Sequence, residues 1–134
     1  MKKFFVIIAT VISLVSCTKQ VSTPQGAANQ NVFFQNADVI VENMIVQPAA
    51  VNVISISFST VGEKNISRIE LMSSASTSTF CTTQAIDVTG NSAAKKTYSF
   101  SDANVKGNTM YYLLRFKNTN GNWVYTNYVT VKLS

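Results

Sequence analysis

The segment TMYYLLRFKNTNGNWVYTNYVTVKL, Thr109 to Leu133, decides the fold class of this chain. Residues 109–118 alternate between two faces with a period of two, which is typical of a β-strand. One face carries Tyr112, Leu114 and Phe116, and the other carries Tyr111, Leu113 and Arg115. The Asn-Gly pair within TNGN (119–122) supplies the positive φ angles of a tight hairpin. We therefore predict a β-hairpin whose second strand covers 123–133.

The same short alternating pattern recurs upstream, bounded each time by turn residues or a polar loop. In VNVISISFST (51–60), Ile54, Ile56 and Phe58 alternate with serines. Four further segments are predicted as strands: 38–46, which Pro48 ends, 66–74, 79–88 and 95–102. Seven evenly spaced strands without intervening helices predict an all-β sandwich, because two packed sheets bury both sets of apolar faces.

Composition and charge limit the classes of partner. The 134 residues suffice for one domain, and a hydrophobic content of 46% with 13% charged residues is not that of a disordered chain. The formal charge of +5 falls to +3 without Lys2 and Lys3, and Lys95–Lys96 is then the only adjacent basic pair. Because nucleic-acid binders cluster their cations on one face, we expect no nucleic-acid partner.

The residue types needed for catalysis are scarce. The chain has no histidine, which removes the usual general base and most zinc and copper sites. Its six carboxylates show neither a paired acid–base spacing nor a calcium-loop pattern, and its glycines form no phosphate-binding motif. Asp102 is expected to cap a turn through the backbone near Asn104. We expect a non-enzymatic protein without cofactor or metal.

The N-terminal segment has the features of a secretory signal. MKK is followed by a predominantly apolar stretch of 12 residues, Phe4 to Val15, too short to span a bilayer comfortably. The sequence LVSC, Leu14 to Cys17, resembles the bacterial lipobox. That resemblance implies a signal peptide over 1–16, a lipidated cysteine and flexible linker over 17–31, and a sandwich over 32–134. An ordinary signal peptide and an uncleaved anchor are the alternatives.

The lipobox resemblance also implies a location. In that family the thiol corresponding to Cys17 receives a diacylglycerol through a thioether, and the new amino group is usually acylated, so that several fatty chains such as palmitate anchor the protein. We expect a lipoprotein of the bacterial outer membrane, on its periplasmic side because TKQV (18–21) lacks an acidic residue. Cys81 is then expected to be a free thiol; a Cys17–Cys81 disulfide is the competing possibility.

Residues 51–131 resemble a fibronectin type III-like domain. The segments that carry the resemblance are ISFST, ISRIELMSS, KTYSFSD and NTMYYLLRFKNTNGNWVYTNYVTV. Two departures are Phe58, where the family usually has tryptophan, and Trp123 near the start of the last strand. The resemblance implies a two-sheet sandwich with Tyr112 as a tyrosine-corner residue, its ring in the core and its hydroxyl bonded to backbone.

In such a sandwich the third, sixth and seventh strands lie side by side. Their outward residues are then expected to include Glu70, Val124 and Thr126, together with a possible interaction face: Arg68, Met72, Tyr111, Leu113, Arg115 and Tyr128. Tyrosine and arginine are enriched at interfaces, which favours an adhesion or protein-interaction module. A simple Glu70–Arg115 pair across strands is the structural alternative. A second hypothesis is glycan binding on Trp123, Tyr125 or Tyr128, although we expect Trp123 to be mostly buried.

Overall fold

A computed structural model of the chain describes residues 17–19, 32–88 and 91–133. The predicted signal peptide (1–16) and most of the predicted linker (20–31) lie outside the described residues. The described residues form ten strands: β1 (Cys17–Lys19), β2 (Val32–Gln35), β3 (Ile40–Ala50), β4 (Val53–Val61), β5 (Ile66–Ser74), β6 (Thr79–Asp87), β7 (Lys96–Asp102), β8 (Thr109–Asn118), β9 (Trp123–Tyr125) and β10 (Val129–Lys132).

The strands form two antiparallel sheets that pack as a sandwich. One sheet has the order β1-β6-β5-β8-β10, with β9 also pairing with β8, and the other has the order β2-β3-β4-β7. This arrangement confirms the predicted all-β, fibronectin type III- and immunoglobulin-like sandwich. The third, sixth and seventh predicted strands are indeed neighbours, because β5 pairs with β8, and β8 pairs with both β9 and β10.

The core lies between the inner faces of the two sheets, and the alternation in the sequence explains its membership. In β4 the residues Ile54, Ile56 and Phe58 are buried, and Phe58 packs against the ring of Tyr98 at a centroid distance of 5.3 Å. From the facing sheet the core receives Ile69, Leu71, Tyr112, Leu114 and Phe116. Side chains of alternate residues point to one face, so each strand contributes every second residue.

The first long strand differs from its prediction at Pro48. We expected Pro48 to end the strand, but β3 continues to Ala50, with Pro48 opposite Ile54 in β4. The other neighbour of β3 is β2, which pairs only with residues 40–42. Pro48 therefore lies on a part of β3 whose second edge is not paired by β2, where a missing N–H is tolerated.

Tyr112 has the predicted position but a different partner. Its ring is fully buried, and its hydroxyl donates to Oδ2 of Asp102 at 2.8 Å rather than to backbone. Burial and this hydrogen bond raise the pKa of the Tyr112 hydroxyl far above its ordinary value. The other oxygen of Asp102 accepts from the backbone N–H of Asn104 at 2.9 Å, which confirms the predicted turn cap. Asp102 thus joins the turn after β7 to the core.

A second buried carboxylate fixes the loop between β4 and β5. Glu63 is 0% exposed. Its Oε1 accepts hydrogen bonds from the hydroxyls of Thr60 at 2.6 Å and Tyr98 at 2.5 Å, and its Oε2 lies 3.2 Å from the ammonium of Lys96. These contacts satisfy the buried charge and join the loop to β7.

Candidate functional site: the outer face of the six-stranded sheet

The outer face of the six-stranded sheet carries a second apolar cluster, separate from the core. Met72, Phe80 and Leu113 form its centre, and the rings of Tyr111, Tyr125 and Tyr128 pack against them. Tyr128 stacks on Phe80 at a centroid distance of 6.3 Å, and Tyr111 meets Tyr128 edge-on at 5.4 Å. We call these six residues the outer cluster.

The outer cluster changes the interpretation of the predicted interaction face. Met72 and Leu113 are on the outer face as expected, but both are 0% exposed, so neither offers a contact surface. Arg115 is likewise buried, at 4%. The cause is lateral packing between neighbouring rows of the sheet, where large aromatic side chains cover smaller ones. Arg68, Tyr111 and Tyr128 remain partly exposed.

A charged network lies next to the outer cluster. Arg115 Nε donates to Glu70 Oε2 at 2.6 Å, and Arg68 Nε donates to Glu70 Oε1 at 2.7 Å. The Thr82 hydroxyl adds a third hydrogen bond to Glu70 at 3.0 Å, and Arg68 also binds Asp87 at 2.7 Å. The Glu70–Arg115 contact across β5 and β8 is the pairing that we considered as the structural alternative.

The network holds Glu70 in its charged form. Burial alone would raise the pKa of the Glu70 carboxyl, but the hydrogen bonds from Arg68, Arg115 and Thr82 outweigh it and lower that pKa below its ordinary value. The same contacts, first with Glu70 and then with Asp87, raise the pKa of Arg68. Glu70 is therefore held as a carboxylate near neutral pH, which suits a rigid surface better than proton transfer.

The last hairpin places Trp123, which we expected to be mostly buried, on this outer face and only half-buried. Val124 pairs with the core residue Phe116, so Val124 points inward, and Trp123 pairs with Lys117 on the outer side. Thr126 is 1% exposed and accepts the Leu114 N–H through its hydroxyl at 3.0 Å. The predicted outward positions of Val124 and Thr126 are therefore wrong. The register of the hairpin decides this, because a one-residue shift exchanges the two faces.

Trp123 covers the charged network. The guanidinium carbon of Arg115 lies 4.0 Å from the centroid of the Trp123 ring, and the ammonium of Lys117 lies 5.5 Å from it. Trp123 itself is half-buried. The indole thus shields the buried Glu70–Arg115 pair from water and is attracted to both cations. The sequence suggested the Glu70–Arg115 pair, but no sequence pattern indicated this stack.

A shallow groove of about 690 Å³ runs along the same part of the face. It is lined by Ser67, Arg68, Glu70, Asp87, Arg115, Lys117, Trp123 and Tyr125. Among the described residues, no hydrogen-bond partner is present for the Lys117 ammonium, the Trp123 indole N–H or the Tyr125 hydroxyl. The rim of the groove therefore offers aromatic surface and unused donors to a ligand.

The two cysteines are joined in the structure. Cys17 in β1 lies opposite Cys81 in β6, and their sulfurs form a disulfide. The expectation of a free Cys81 thiol is wrong for this state of the chain. One sulfur cannot carry both a disulfide and a thioether, so lipidation of Cys17 stays a prediction that concerns a different covalent state.

The described part of the chain contains no group of three or more His, Cys, Asp or Glu side chains placed to hold a metal ion. Nor does it contain a helix long and apolar enough to cross a membrane. Compared with protein-family models, with curated proteins and with solved structures, the chain has no match. The function is therefore argued from the chemistry of the outer face and of the N-terminal segment.

Proposed function

We propose that this protein is a non-enzymatic, lipid-anchored protein of the bacterial outer membrane that binds a partner through the outer face of its six-stranded sheet. The anchor is supported by the lipobox-like LVSC that follows a short apolar segment. The binding role is supported by the groove and by the partly exposed rings beside it.

The observation that carries the binding role is the composition of the groove rim. Trp123 and Tyr125 stand beside Lys117 and Arg68 on a sheet whose charged floor is already satisfied. Tryptophan, tyrosine and arginine are the residue types most enriched among residues that dominate binding energy. A rigid sheet loses little conformational entropy when it binds, so such a rim is well suited to recognition.

The environments of three buried carboxylates support a role without catalysis. Glu63, Glu70 and Asp102 are each held by hydroxyl or cationic donors. A general base needs a pKa near the working pH, and the lowered pKa of Glu70 moves in the opposite direction.

The proposed anchor requires one covalent state of Cys17. In the mature lipoprotein its sulfur forms a thioether with the lipid, and Cys81 is a thiol. The disulfide belongs to chain that has not been lipidated, in which the pairing of β1 with β6 brings the two sulfurs together.

The two states differ in mass and in thiol count. We would purify the protein from membranes, denature it without reductant, alkylate it and measure its intact mass. The proposal expects the mass of fatty chains on Cys17 and one alkylated residue, Cys81. A mass without fatty chains and without alkylation would overturn the anchor. Cys17→Ser is the matched control, and it should leave the membrane fraction.

The binding role is tested by crosslinking in cells and identification of the captured partner. Tyr125→Ala, in the groove rim, and Tyr128→Ala, at the edge of the outer cluster, should each weaken capture of that partner, because both rings are partly exposed. Asn120→Ala, in the exposed turn after β8, is the control. Equal capture by all three variants would remove the outer cluster from the binding surface.

Glycan binding is a second candidate, favoured by the position of Trp123 and Tyr125 on the outer face next to Lys117. Sugars stack on aromatic rings and accept hydrogen bonds from donors of this kind. Binding to an immobilised glycan panel that is lost in Tyr125→Ala and kept in Asn120→Ala would support it. If the protein binds no glycan of the panel, glycan binding is excluded for that panel and a protein remains the proposed partner.

The side of the outer membrane has its own test. The absence of acidic residues in TKQV favours the periplasmic side. Protease added to intact cells should then leave the protein whole, whereas the same protease should degrade it after the outer membrane is permeabilised. Degradation in intact cells would place the protein on the outside.

A further inference from the structure

The register of the strands brings several segments together at one end of the sandwich. Cys17 lies opposite Cys81, and Cys81 lies opposite Ser73, which in turn faces Tyr112 in β8. The Tyr112 hydroxyl reaches Asp102, the last residue of β7. We call this the Cys17 end. It includes the turn between β3 and β4, the loops at 75–78 and 103–108, and the chain at 132–133.

At the Cys17 end, the hairpin of β3 and β4 continues beyond the end of β7, the strand that pairs with β4. Asp102 pairs with Ile54, and the turn at Val51 and Asn52 lies about three residues, or about 10 Å, beyond that pair. Asn52 has a φ of 57°, which closes the turn tightly. The tip therefore projects beyond the edge strand β7 of its own sheet.

The tip exposes four apolar residues in succession. Pro48, Ala49, Ala50 and Val51 are all exposed, and Val51, at 88%, is the most exposed large hydrophobic residue among those described. Natural surfaces tolerate single exposed hydrophobic residues, but a run of four at a projecting tip is unusual unless it serves a function.

The exposed charged side chains described at the Cys17 end are cationic. Lys106 and Lys132 are both exposed there. Asp102 is the acidic residue of this end, and it is 2% exposed and bound to Tyr112. The other five acidic residues lie at the middle or towards the opposite end: Asp38, Glu42, Glu63, Glu70 and Asp87.

We propose that the Cys17 end docks on the surface of the lipid bilayer, with the Pro48–Val51 tip entering the headgroup region and Lys106 and Lys132 facing anionic headgroups. This inference rests on the proposed lipid anchor. An apolar tip with flanking cations matches the interface of an anionic membrane, where apolar groups enter the boundary and lysines stay among the headgroups. The groove, with Trp123 and Lys117 towards the opposite end, then points away from the bilayer.

The test uses the full lipidated protein in vesicles of phosphatidylethanolamine and phosphatidylglycerol, with brominated lipids as short-range quenchers of tryptophan. Val51→Trp places a fluorophore at the proposed contact. Asn120→Trp, in the hairpin turn at the opposite end, is the matched control. Both positions are exposed turn residues, so both variants should fold, and circular dichroism checks this. Native Trp123 gives the background, which is measured in the parent protein.

Docking predicts strong quenching and a blue shift of the Val51→Trp emission, with the Asn120→Trp emission at the parent level. In Lys106→Glu/Lys132→Glu protein, the quenching at position 51 should fall. Equal quenching at positions 51 and 120, or none at either, in protein whose mass shows the fatty chains would overturn the docked orientation and leave the anchor intact. A mass without fatty chains would overturn the anchor itself.

Discussion

At the scale of single residues, Glu70 and Arg115 face each other across β5 and β8 with almost no access to water. A buried ion pair of this kind contributes little net stability, because removing two charges from water offsets most of their attraction. Removing one partner is different, because it leaves the other charge buried and unpaired. Asp102 is also a buried carboxylate that depends on its donors. It accepts hydrogen bonds from the backbone N–H of Asn104 in the turn and from the hydroxyl of Tyr112 in the core, so removing a donor leaves it less well satisfied.

Glu70→Gln should lower the free energy of unfolding by about 3 kcal/mol at pH 7, because it leaves Arg115 without its counter-ion. The folded-state pKa of Glu70 is lowered, so the stabilisation is present above the unfolded pKa of about 4.3 and is lost as pH falls through the folded value. Urea unfolding at pH 7 and at pH 3 should show a large difference between variant and parent at pH 7 and a smaller one at pH 3.

Glu42→Gln is the matched control for this prediction. Glu42 pairs with Lys95 at 3.0 Å, but the Lys95 side chain is 51% exposed, so the change should cost less than about 1 kcal/mol. Equal losses for the two variants would show that the Glu70 network is not a buried pair in solution.

Tyr112→Phe should destabilise the protein by about 1–3 kcal/mol, because Asp102 loses a buried hydrogen bond while the ring still fills the core. Tyr111→Phe is the control, since no hydrogen bond links its hydroxyl to another described residue. Chemical denaturation of both variants measures the difference. A loss for Tyr111→Phe as large as that for Tyr112→Phe would contradict the assigned partner.

At the scale of elements, the turn between β8 and β9 determines which residues lie on the outer face. Its register places Trp123 beside Lys117 and over Arg115, and Val124 against the core. The turn is held by Asn118, whose side-chain oxygen accepts the backbone N–H groups of Asn120 and Asn122. Gly121 has a φ of 86°, which residues with a side chain rarely adopt.

Gly121→Ala should therefore destabilise the protein by about 1 kcal/mol, because it forces alanine into the left-handed region although no neighbouring atom obstructs its Cβ. Gly107→Ala is the control: its Cβ would meet other atoms at ordinary contact distances, and its φ lies outside that region. Urea unfolding should show Gly107→Ala near the parent or slightly more stable. A reversed order of the two variants would contradict the turn geometry.

At the scale of the whole molecule, the covalent state of Cys17 decides whether the proposed lipid anchor can form. As a disulfide, it closes a loop with a sequence separation of 64 residues between β1 and β6. In the proposed lipidated form, the Cys17 sulfur carries the lipid instead of the disulfide. Cys17 therefore has a different role in each state: it crosslinks β1 to β6 as a disulfide, and it attaches the proposed lipid as a thioether.

Cys81→Ser separates these states through stability. In lipidated protein it should change the free energy of unfolding by less than about 1 kcal/mol, because a small half-buried side chain is replaced by a similar one. In protein with the disulfide it should cost about 2–4 kcal/mol, because the unfolded chain regains the freedom of the loop. Thermal or urea unfolding of membrane-derived and lipid-free protein measures both. The larger loss in the membrane-derived form would contradict the anchor.

The alternation in the sequence was enough to predict the all-β sandwich, although β1 and β2 were not predicted and the predicted strand 123–133 divides into β9 and β10. Alternation with a period of two located β5 and β8 at their observed bounds, and it correctly assigned Ile54, Ile56 and Phe58 to the core. The cap at Asp102 could also be predicted, because an aspartate that accepts a hydrogen bond from nearby backbone is a local feature of the sequence.

Which residues are exposed on the outer face could not be predicted from the sequence. Alternation tells which residues share a face, but whether Met72, Leu113 and Arg115 are exposed depends on side chains brought over them from other strands. Likewise, the hairpin register turned Trp123 outward, and the pairing of β1 with β6 brought Cys17 to Cys81. Burial and long-range pairing depend on contacts between residues far apart in the chain, and no local pattern records them.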